Sequence, residues 1–198
     1  MIIDEEFLFD SGAELILYPA NDFIFKEGEM PKYYFQIRKG TVKINNYHED
    51  GREILQSVPF DGHCIAESSL FIDKAYPVNA ETMTGCEIIR LEKARFLELI
   101  NSSPDLLSKL YSYTAERMYY RHVMLNNISA PDPGTKVKRV MDCMKSYNQY
   151  TGKYSYQFPF TRQHLASLTG LCVETVIRVV KKMEKEKTVR IQNGKIFY

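Results

Sequence analysis

The chain has 198 residues, 44% hydrophobic and 26% charged, a composition typical of a water-soluble globular protein. This length is enough for one large domain or two modest ones, and we expect two. The sequence has no run of about 18 apolar residues that would predict a membrane span, and the acidic N-terminus MIIDEEFLFD lacks the layout of a signal peptide. We therefore expect a cytoplasmic protein with no membrane partner.

The four cysteines, at positions 64, 86, 143 and 172, are too far apart for a C-x-x-C metal knuckle. Nothing else in the sequence indicates an oxidising compartment. We predict buried free thiols and no metal site.

Charge divides the chain into two parts. Residues 1–134 carry 13 Lys+Arg and 21 Asp+Glu, a net charge of −8, whereas residues 135–198 carry 13 and 4, a net charge of +9. A basic C-terminal third favours a polyanionic partner for that third, although a run of charge can also be ordinary solvated surface.

Short strands separated by turns are predicted for residues 13–92. The segments YFQIRKG and TVKINNY flank Gly40, and HEDG at 48–51 forms a further turn. Alternation at Val42 and Ile44 fits half-buried strand positions. This pattern predicts an all-β roll or barrel of about eight strands.

A change of period near residue 94 predicts helices, with Pro104 in the first turn of a long one. Steps of four and three residues along this helix define a seam, formed by Leu107, Tyr111, Thr114, Met118, Arg121, Leu125 and Ile128. Nearly four heptads, interrupted by Thr114 and Arg121, predict a dimeric coiled coil. The alternative is a single helix that packs on the roll through the same stripe.

Residues 129–135, SAPDPGT, are rich in Pro and Gly and coincide with the change of charge sign, so we predict a domain boundary here. Beyond it, KVKRVMDCMKSYNQY predicts a helix and YSYQF a strand. The final segment VRIQNGKIFY predicts a hairpin that turns on Asn193 and Gly194, a favoured type I′ pair.

Residues 161–184 have the spacing of a helix-turn-helix. Thr161 can cap a short helix in which Ala166 is small enough for two helices to cross. Gly170 then provides the tight turn, and Val176 packs back against the first helix. With the hairpin, this predicts a winged DNA-binding domain.

The second of these helices has two predicted faces. Val176, Val179, Val180 and Met183 share the inner face. On the outer face, Arg178 can bind guanine, Glu174 can accept from cytosine, and Ile177 can touch a thymine methyl group. The alternative is a Glu174–Arg178 pair that only supports the helix.

A second set of polar side chains is predicted to follow the DNA phosphates and to set affinity and salt dependence rather than sequence preference. It comprises Thr161, Arg162, Gln163, Lys181, Lys182, Lys185 and Lys195.

From about Leu15 to Tyr198 the sequence resembles the family of the cyclic-AMP receptor protein and the fumarate-nitrate regulator (CRP/FNR). The resemblance is carried by EGEMPKYYFQIRKGTVKI, AESSLF, the long helix, Asp132 and TRQHLASLTGLCVETVIRVVKKMEKE. It implies an α+β fold: an effector-sensing jelly roll of the cyclic-nucleotide-binding type (1–103), a dimerisation helix (104–130) and a winged helix-turn-helix (131–198).

The resemblance also implies function: a homodimeric bacterial transcription regulator, not an enzyme, that binds double-stranded DNA and recruits or excludes RNA polymerase. The run VETVIR is similar to the fumarate-nitrate branch, with Val173 where the cyclic-AMP branch carries a second arginine. This implies TTGA-like half-sites read by Glu174 and Arg178. Ile177 replaces a serine of that branch and leaves one base preference open. Loops 48–53 and 147–157 resemble the surfaces of the family that contact polymerase.

The implied effector pocket departs from the cyclic-AMP members. Glu67 matches their glutamate, but Tyr76 and Pro77 stand where the arginine-serine pair holds the cyclic phosphate, so we expect no cyclic-AMP binding and no cofactor. Arg121 and His122 match positions that contact the base. Because Arg121 also lies on the seam, we expect an anionic or phosphorylated effector to neutralise it, or else pairing with carboxylates or solvent.

Three other functions remain open from the sequence. A thiol-based sensor would use Cys64 or Cys86, and a haem sensor would need an axial ligand that no feature indicates. A metal-dependent enzyme of the cupin type would need closely spaced histidines, whereas His48 and His63 are isolated.

Overall fold

A computed structural model describes residues 1–147 and 149–198. It contains two compact units, Met1–Arg117 and Met118–Tyr198. The division between the units falls within the long helix, whereas the sequence analysis places domain boundaries at both ends of that helix.

The first unit is a roll built from two antiparallel sheets. The strands are β1 (Glu14–Tyr18), β2 (Phe23–Phe25), β3 (Tyr33–Lys39), β4 (Val42–Tyr47), β5 (Glu53–Ser57), β6 (Cys64–Ile65), β7 (Asn79–Thr82) and β8 (Cys86–Glu92). One sheet has the order β1-β8-β3-β6 and the other β2-β7-β4-β5. The predicted roll of about eight strands is confirmed.

Alternation along β8 separates two apolar cores. Ile88 packs with Ile37 and Val42 in a core that both sheets share, whereas Ile89 belongs to a second core with Tyr34 and Phe96. Successive strand residues point to opposite faces of a sheet, so β8 contributes to both cores.

Helices cover the outer face of the first sheet. They are α1 (Glu5–Asp10), α2 (Lys93–Ser102) and the beginning of α3 (Pro104–Ile128), with a 3-10 turn at Glu67–Phe71. The sequence analysis did not predict α1, which begins because the Asp4 carboxylate caps its first amides. The buried Gln36 amide holds the preceding segment by bonding both the N–H and the C=O of Ile3, at 3.0 and 2.8 Å.

The second unit contains the end of α3 and a winged helix-turn-helix. Its elements are α4 (Pro133–Tyr147), β9 (Gln157–Phe158), α5 (Arg162–Thr169), α6 (Val173–Lys185), β10 (Arg190–Gln192) and β11 (Lys195–Phe197), with the sheet order β10-β11-β9. In the described part of the chain, no helix combines the length and the apolar character needed to cross a membrane.

Two predicted bounds in this unit are wrong. Helix α4 begins at Pro133, inside the predicted break, because proline suits the first helical turn and the Asp132 carboxylate accepts from the Thr135 N–H at 2.7 Å. The predicted strand YSYQF shrinks to Gln157–Phe158, since Tyr154 has a φ of 58°, which does not fit an extended strand.

Candidate nucleic-acid interface and roll interior

The turn between α5 and α6 has the predicted geometry. Thr161 caps α5 by accepting from the His164 N–H at 3.1 Å, and Gly170 ends the helix with a φ of 67°, in the left-handed region where glycine is favoured. Ala166 is buried, and its carbonyl accepts from the Leu171 N–H at 3.2 Å. The cap at Thr161 and the left-handed backbone at Gly170 therefore fix where α5 begins and ends, and with it the conformation of the turn to α6.

The inner face of α6 holds the helix against the rest of the unit. Val176, Val180 and Met183 are buried, whereas Val179 is only half-buried. Val179 lies at the edge of this face, where it lines a groove of about 460 Å³ together with Arg178 and Lys182.

The outer face of α6 presents a carboxylate, an aliphatic group and a guanidinium to solvent. Glu174, Ile177 and Arg178 are exposed, and Val173 is half-buried at the first turn. Among the described residues of this unit, the i, i+4 ion pairs are Lys138–Asp142 and Lys182–Glu186. Glu174 and Arg178 therefore do not form the supporting pair that the sequence left as an alternative.

The predicted phosphate-binding side chains differ in their surroundings. Thr161, Gln163, Lys181, Lys185 and Lys195 are exposed, and Lys182 lies 3.9 Å from Glu186. Arg162 is half-buried, and its guanidinium donates to the carbonyl of Gly194 in the hairpin turn. One donor of Arg162 is therefore already used within the chain.

Inside the first unit, Glu67 has partners from α3. Its buried carboxylate lies 2.8 Å from Arg117 Nη1 and accepts from Thr114 Oγ1 at 3.1 Å. Arg117 also donates to the Cys64 carbonyl at 3.2 Å. Burial lowers the pKa of Arg117, but the Glu67 carboxylate outweighs this effect and keeps that pKa above its usual value. A buried charge is stable when paired and hydrogen-bonded in this way.

Sequence reasoning missed Arg117. Arg117 lies between the seam residues Thr114 and Met118, and the seam was expected to contact a second copy of the helix. The sequence pattern therefore gave no reason to expect a partner for Arg117 inside the roll. Thr114 is likewise not part of an outward seam, since its hydroxyl points to Glu67. A rule that every lone buried carboxylate needs a cation could have prompted a search for one on α3.

The predicted phosphate-site positions contain no cation. Tyr76 is buried in the core between the sheets, where its ring stacks on Phe25 with the centroids 3.8 Å apart. The Pro77 carbonyl accepts from the Asn46 amide at 2.8 Å. Arg121 and His122 lie in the second unit and are exposed.

The exposed part of the seam is strongly apolar. Leu107, Tyr111, Met118 and Leu125 are between 42% and 74% exposed, and Arg121 is exposed among them. Ile128 is half-buried. Leu110 is the buried residue of α3, and Leu106 and Tyr113 pack beside it on the core of the first unit, away from these exposed seam residues.

The cysteines do not match the thiol-sensor hypothesis. Cys64 and Cys86 are buried, and burial raises the pKa of the Cys64 thiol well above its usual value, which disfavours the reactive thiolate. The exposed cysteine is Cys172 at the start of α6, where a hydrogen bond from Thr175 lowers the thiol pKa. The general prediction of buried thiols is therefore wrong for Cys172.

Within the described residues, no group of three or more His, Cys, Asp or Glu side chains is arranged to hold a metal ion.

Both units match known domain families. Residues 15–103 match the cyclic nucleotide-binding domain, and residues 138–197 match the Crp-like helix-turn-helix domain. The cAMP-activated global transcriptional regulator CRP of Salmonella typhimurium is 26% identical over 183 residues, which cover 91% of this chain and 87% of that protein. The cAMP-activated regulator Vfr of Pseudomonas aeruginosa is 26% identical over 180 residues, covering 88% and 84%.

Solved structures share the fold. The c-di-GMP responsive global regulator CLP of Xanthomonas campestris superimposes with a TM-score of 0.81 at 21% identity, covering 98% of both chains. FixK2 of Bradyrhizobium japonicum superimposes with a TM-score of 0.77 at 17% identity, covering 93% of this chain and 91% of that one. The domain matches, the relatives and the shared fold identify this chain as a member of the CRP/FNR family of transcription regulators, a DNA-binding protein, not an enzyme, with a domain of the cyclic nucleotide-binding type.

Proposed function

We propose that the protein is a cytoplasmic homodimer that reads pseudo-palindromic operators with TTGA-like half-sites. The observation that carries this proposal is the outer face of α6, where Glu174, Ile177 and Arg178 are exposed and the two charged groups leave each other unpaired. The buried inner face of α6 fixes the helix, and Glu174 and Arg178 on its outer face do not pair with each other. Both side chains are therefore free to bind base edges in the major groove.

Each side chain has a specific role in this proposal. The Arg178 guanidinium donates two hydrogen bonds to O6 and N7 of a guanine, and the Glu174 carboxylate accepts from N4 of a cytosine on the other strand. Ile177 contacts a thymine methyl group. Val173 replaces the second arginine of the cyclic-AMP branch, so the base that this arginine would contact is not read by a hydrogen bond. A G·C pair between A·T pairs, as in TTGA, provides both partners.

Phosphate contacts supply most of the affinity. Lys181, Lys182 and Lys195 attract the DNA backbone, and Thr161 and Gln163 add hydrogen bonds at the start of α5. The net charge of +9 on residues 135–198 supports this assignment.

Selection of bound duplexes from a random library tests the base-reading assignment. We expect the parent protein to enrich paired TTGA-like half-sites with centres about 34 Å apart, one DNA turn. Arg178→Ala should weaken binding to the enriched duplex about 10- to 100-fold and lose the preference for guanine, because a bidentate contact disappears. Lys181→Ala is the matched control and should weaken cognate and scrambled duplexes equally. Unchanged preference in Arg178→Ala would contradict the assignment.

Dimerisation is proposed through α3. Leu107, Tyr111, Met118 and Leu125 form the apolar part of the interface, and Ile128 extends it. Two symmetry-related recognition helices then meet the two half-sites, which matches a pseudo-palindrome.

An anionic or phosphorylated effector is proposed to neutralise Arg121 where two copies meet. Two facing guanidinium groups are unfavourable without an anion between them, and Arg121 is exposed on the seam; His122 adds a second donor beside it. The relatives CRP and Vfr are described as cAMP-activated and CLP as c-di-GMP responsive. Cyclic AMP itself is not proposed, because Tyr76 is packed in the apolar core at a predicted phosphate position.

Native mass spectrometry of the purified dimer tests the effector proposal. We expect a co-purified anion, with the bound species lost in Arg121→Gln because its charge partner is gone. If Arg121→Gln leaves both dimer stability and effector response unchanged, pairing with carboxylates or solvent is the correct account.

Contact with RNA polymerase is proposed for loops 48–53 and 147–157; residue 148 lies outside the described residues. In the first loop, Asp50 accepts from Arg52 Nε at 2.7 Å, and in the second, Tyr150 is exposed. Recruitment through these loops would make the protein an activator, and an operator that overlaps a promoter would make it a repressor.

A further inference from the structure

The hairpin of β10 and β11, here called the wing, is too short to be rigid by itself. Each strand has three residues, and an isolated two-stranded hairpin is marginally stable in water. Its turn uses Asn193 and Gly194, with φ of 48° and 75°, as a type I′ turn requires. The position of the turn therefore depends on contacts with the rest of the unit.

Contacts at the base of the wing hold its strands. Ile196 is buried, and it pairs with Phe158 of β9. The Ile191 N–H donates to Glu184 Oε1 of α6 at 3.2 Å, and Tyr154 Oη donates to the Lys187 carbonyl at 2.6 Å. These contacts lie at the base of the wing, and the turn at its tip is closed by the pair Gln192 and Lys195.

The turn is held by Arg162. The Arg162 guanidinium reaches the turn and donates to the Gly194 carbonyl. Bonds with a charged donor are stronger than neutral ones. Arg162 is half-buried in the first turn of α5, so the bond connects the wing to the start of the helix-turn-helix.

We propose that Arg162 is a positioning residue that holds the wing turn so that Lys195 meets a DNA phosphate. Lys195 directly follows Gly194, is exposed, and pairs with Gln192 on the other side of the turn, so its backbone position depends on the geometry of the turn. This inference rests on the proposed DNA-binding function, and it assigns Arg162 a role through Lys195 rather than as an independent phosphate contact.

Amide hydrogen exchange of the free protein tests the tether without DNA. Arg162→Ala should speed exchange of the Gln192 and Lys195 amides, which flank the turn and pair with each other, at least about fivefold, because the turn opens more often. Arg139→Ala is the matched control: Arg139 is an exposed cation of α4 in the same unit, and its loss should leave these amides unchanged. Equal exchange in Arg162→Ala and the parent would overturn the proposal.

A double-mutant cycle with the selected operator tests the coupling. We expect Arg162→Ala and Lys195→Ala each to raise Kd about fivefold, and the double variant to raise it about fivefold to tenfold, since both remove the same phosphate contact. The salt dependence of binding should be the same for Lys195→Ala and for the double variant. The pair Arg139→Ala and Lys195→Ala should be additive.

Independent phosphate contacts would behave differently. The two fivefold increases in Kd would then multiply, so the double variant would bind about 25-fold more weakly than the parent. The slope of log K against log salt concentration would also fall by about one more than in Lys195→Ala. Either result would overturn the proposal. Unchanged Kd in both single variants would overturn it as well. Failure of the parent protein to bind any selected duplex would instead contradict the proposed function, so the two failures are distinguishable.

Discussion

Replacing Arg117 with methionine should lower the free energy of unfolding by about 3 kcal/mol at pH 7. The change leaves the buried carboxylate of Glu67 without the guanidinium that lies 2.8 Å away, and it leaves the Cys64 carbonyl without that donor. The Thr114 hydroxyl still donates to Glu67, but one neutral hydrogen bond does not offset the desolvation of a charge. Urea denaturation followed by circular dichroism, at one protein concentration, measures the loss.

The double variant Arg117→Met with Glu67→Gln is the control for this prediction. It removes the orphaned charge, so it should regain at least half of the lost stability. A single variant that unfolds at the same urea concentration as the parent would show that the ion pair contributes nothing.

Replacing Met118 with glutamate should raise the dissociation constant of the homodimer at least about 100-fold. Met118 is 59% exposed in the chain and lies between Tyr111 and Leu125 on the seam. In a symmetric interface each copy contributes one carboxylate, so two unpaired charges would be buried close together. Sedimentation velocity over a range of concentrations measures the shift from dimer to monomer.

Ser112→Glu is the matched control for the dimer prediction. Ser112 is exposed on α3 outside the seam, so the same added charge should leave the dimer unchanged. Circular dichroism of both variants separates dissociation from unfolding. A Met118→Glu protein that sediments as the parent does would exclude this face of α3 as the interface.

Recognition of the helix-turn-helix and the wing from sequence succeeded because their determinants are local. Gly170 is needed where the backbone enters the left-handed region, and Asn193-Gly194 suits a two-residue turn with positive φ at both positions. Apolar spacing along α6 put Val176, Val180 and Met183 on one face, which leaves Glu174 and Arg178 on the other. Each of these features depends on residues within one or two turns of chain.

The sequence analysis did not find the contacts that side chains make with distant segments of the chain. Thr114 fits a seam position by its spacing, yet its hydroxyl bonds to Glu67, which is 47 residues away in the chain. Arg162 has the composition of a phosphate contact, yet it donates to a carbonyl 32 residues away. Cys64 is packed beneath the helices that cover the sheet, and this burial raises the pKa of its thiol.

The amino-acid sequence by itself therefore determined the roll, the long helix, the helix-turn-helix and which face of α6 is exposed, because periodicity, capping and turn chemistry act over a few residues. Only the tertiary structure decided which cation pairs with Glu67, what holds the wing and which cysteine meets solvent. Those outcomes depend on which distant segments pack side by side, and burial makes an unpaired charge or polar group costly wherever that packing places it.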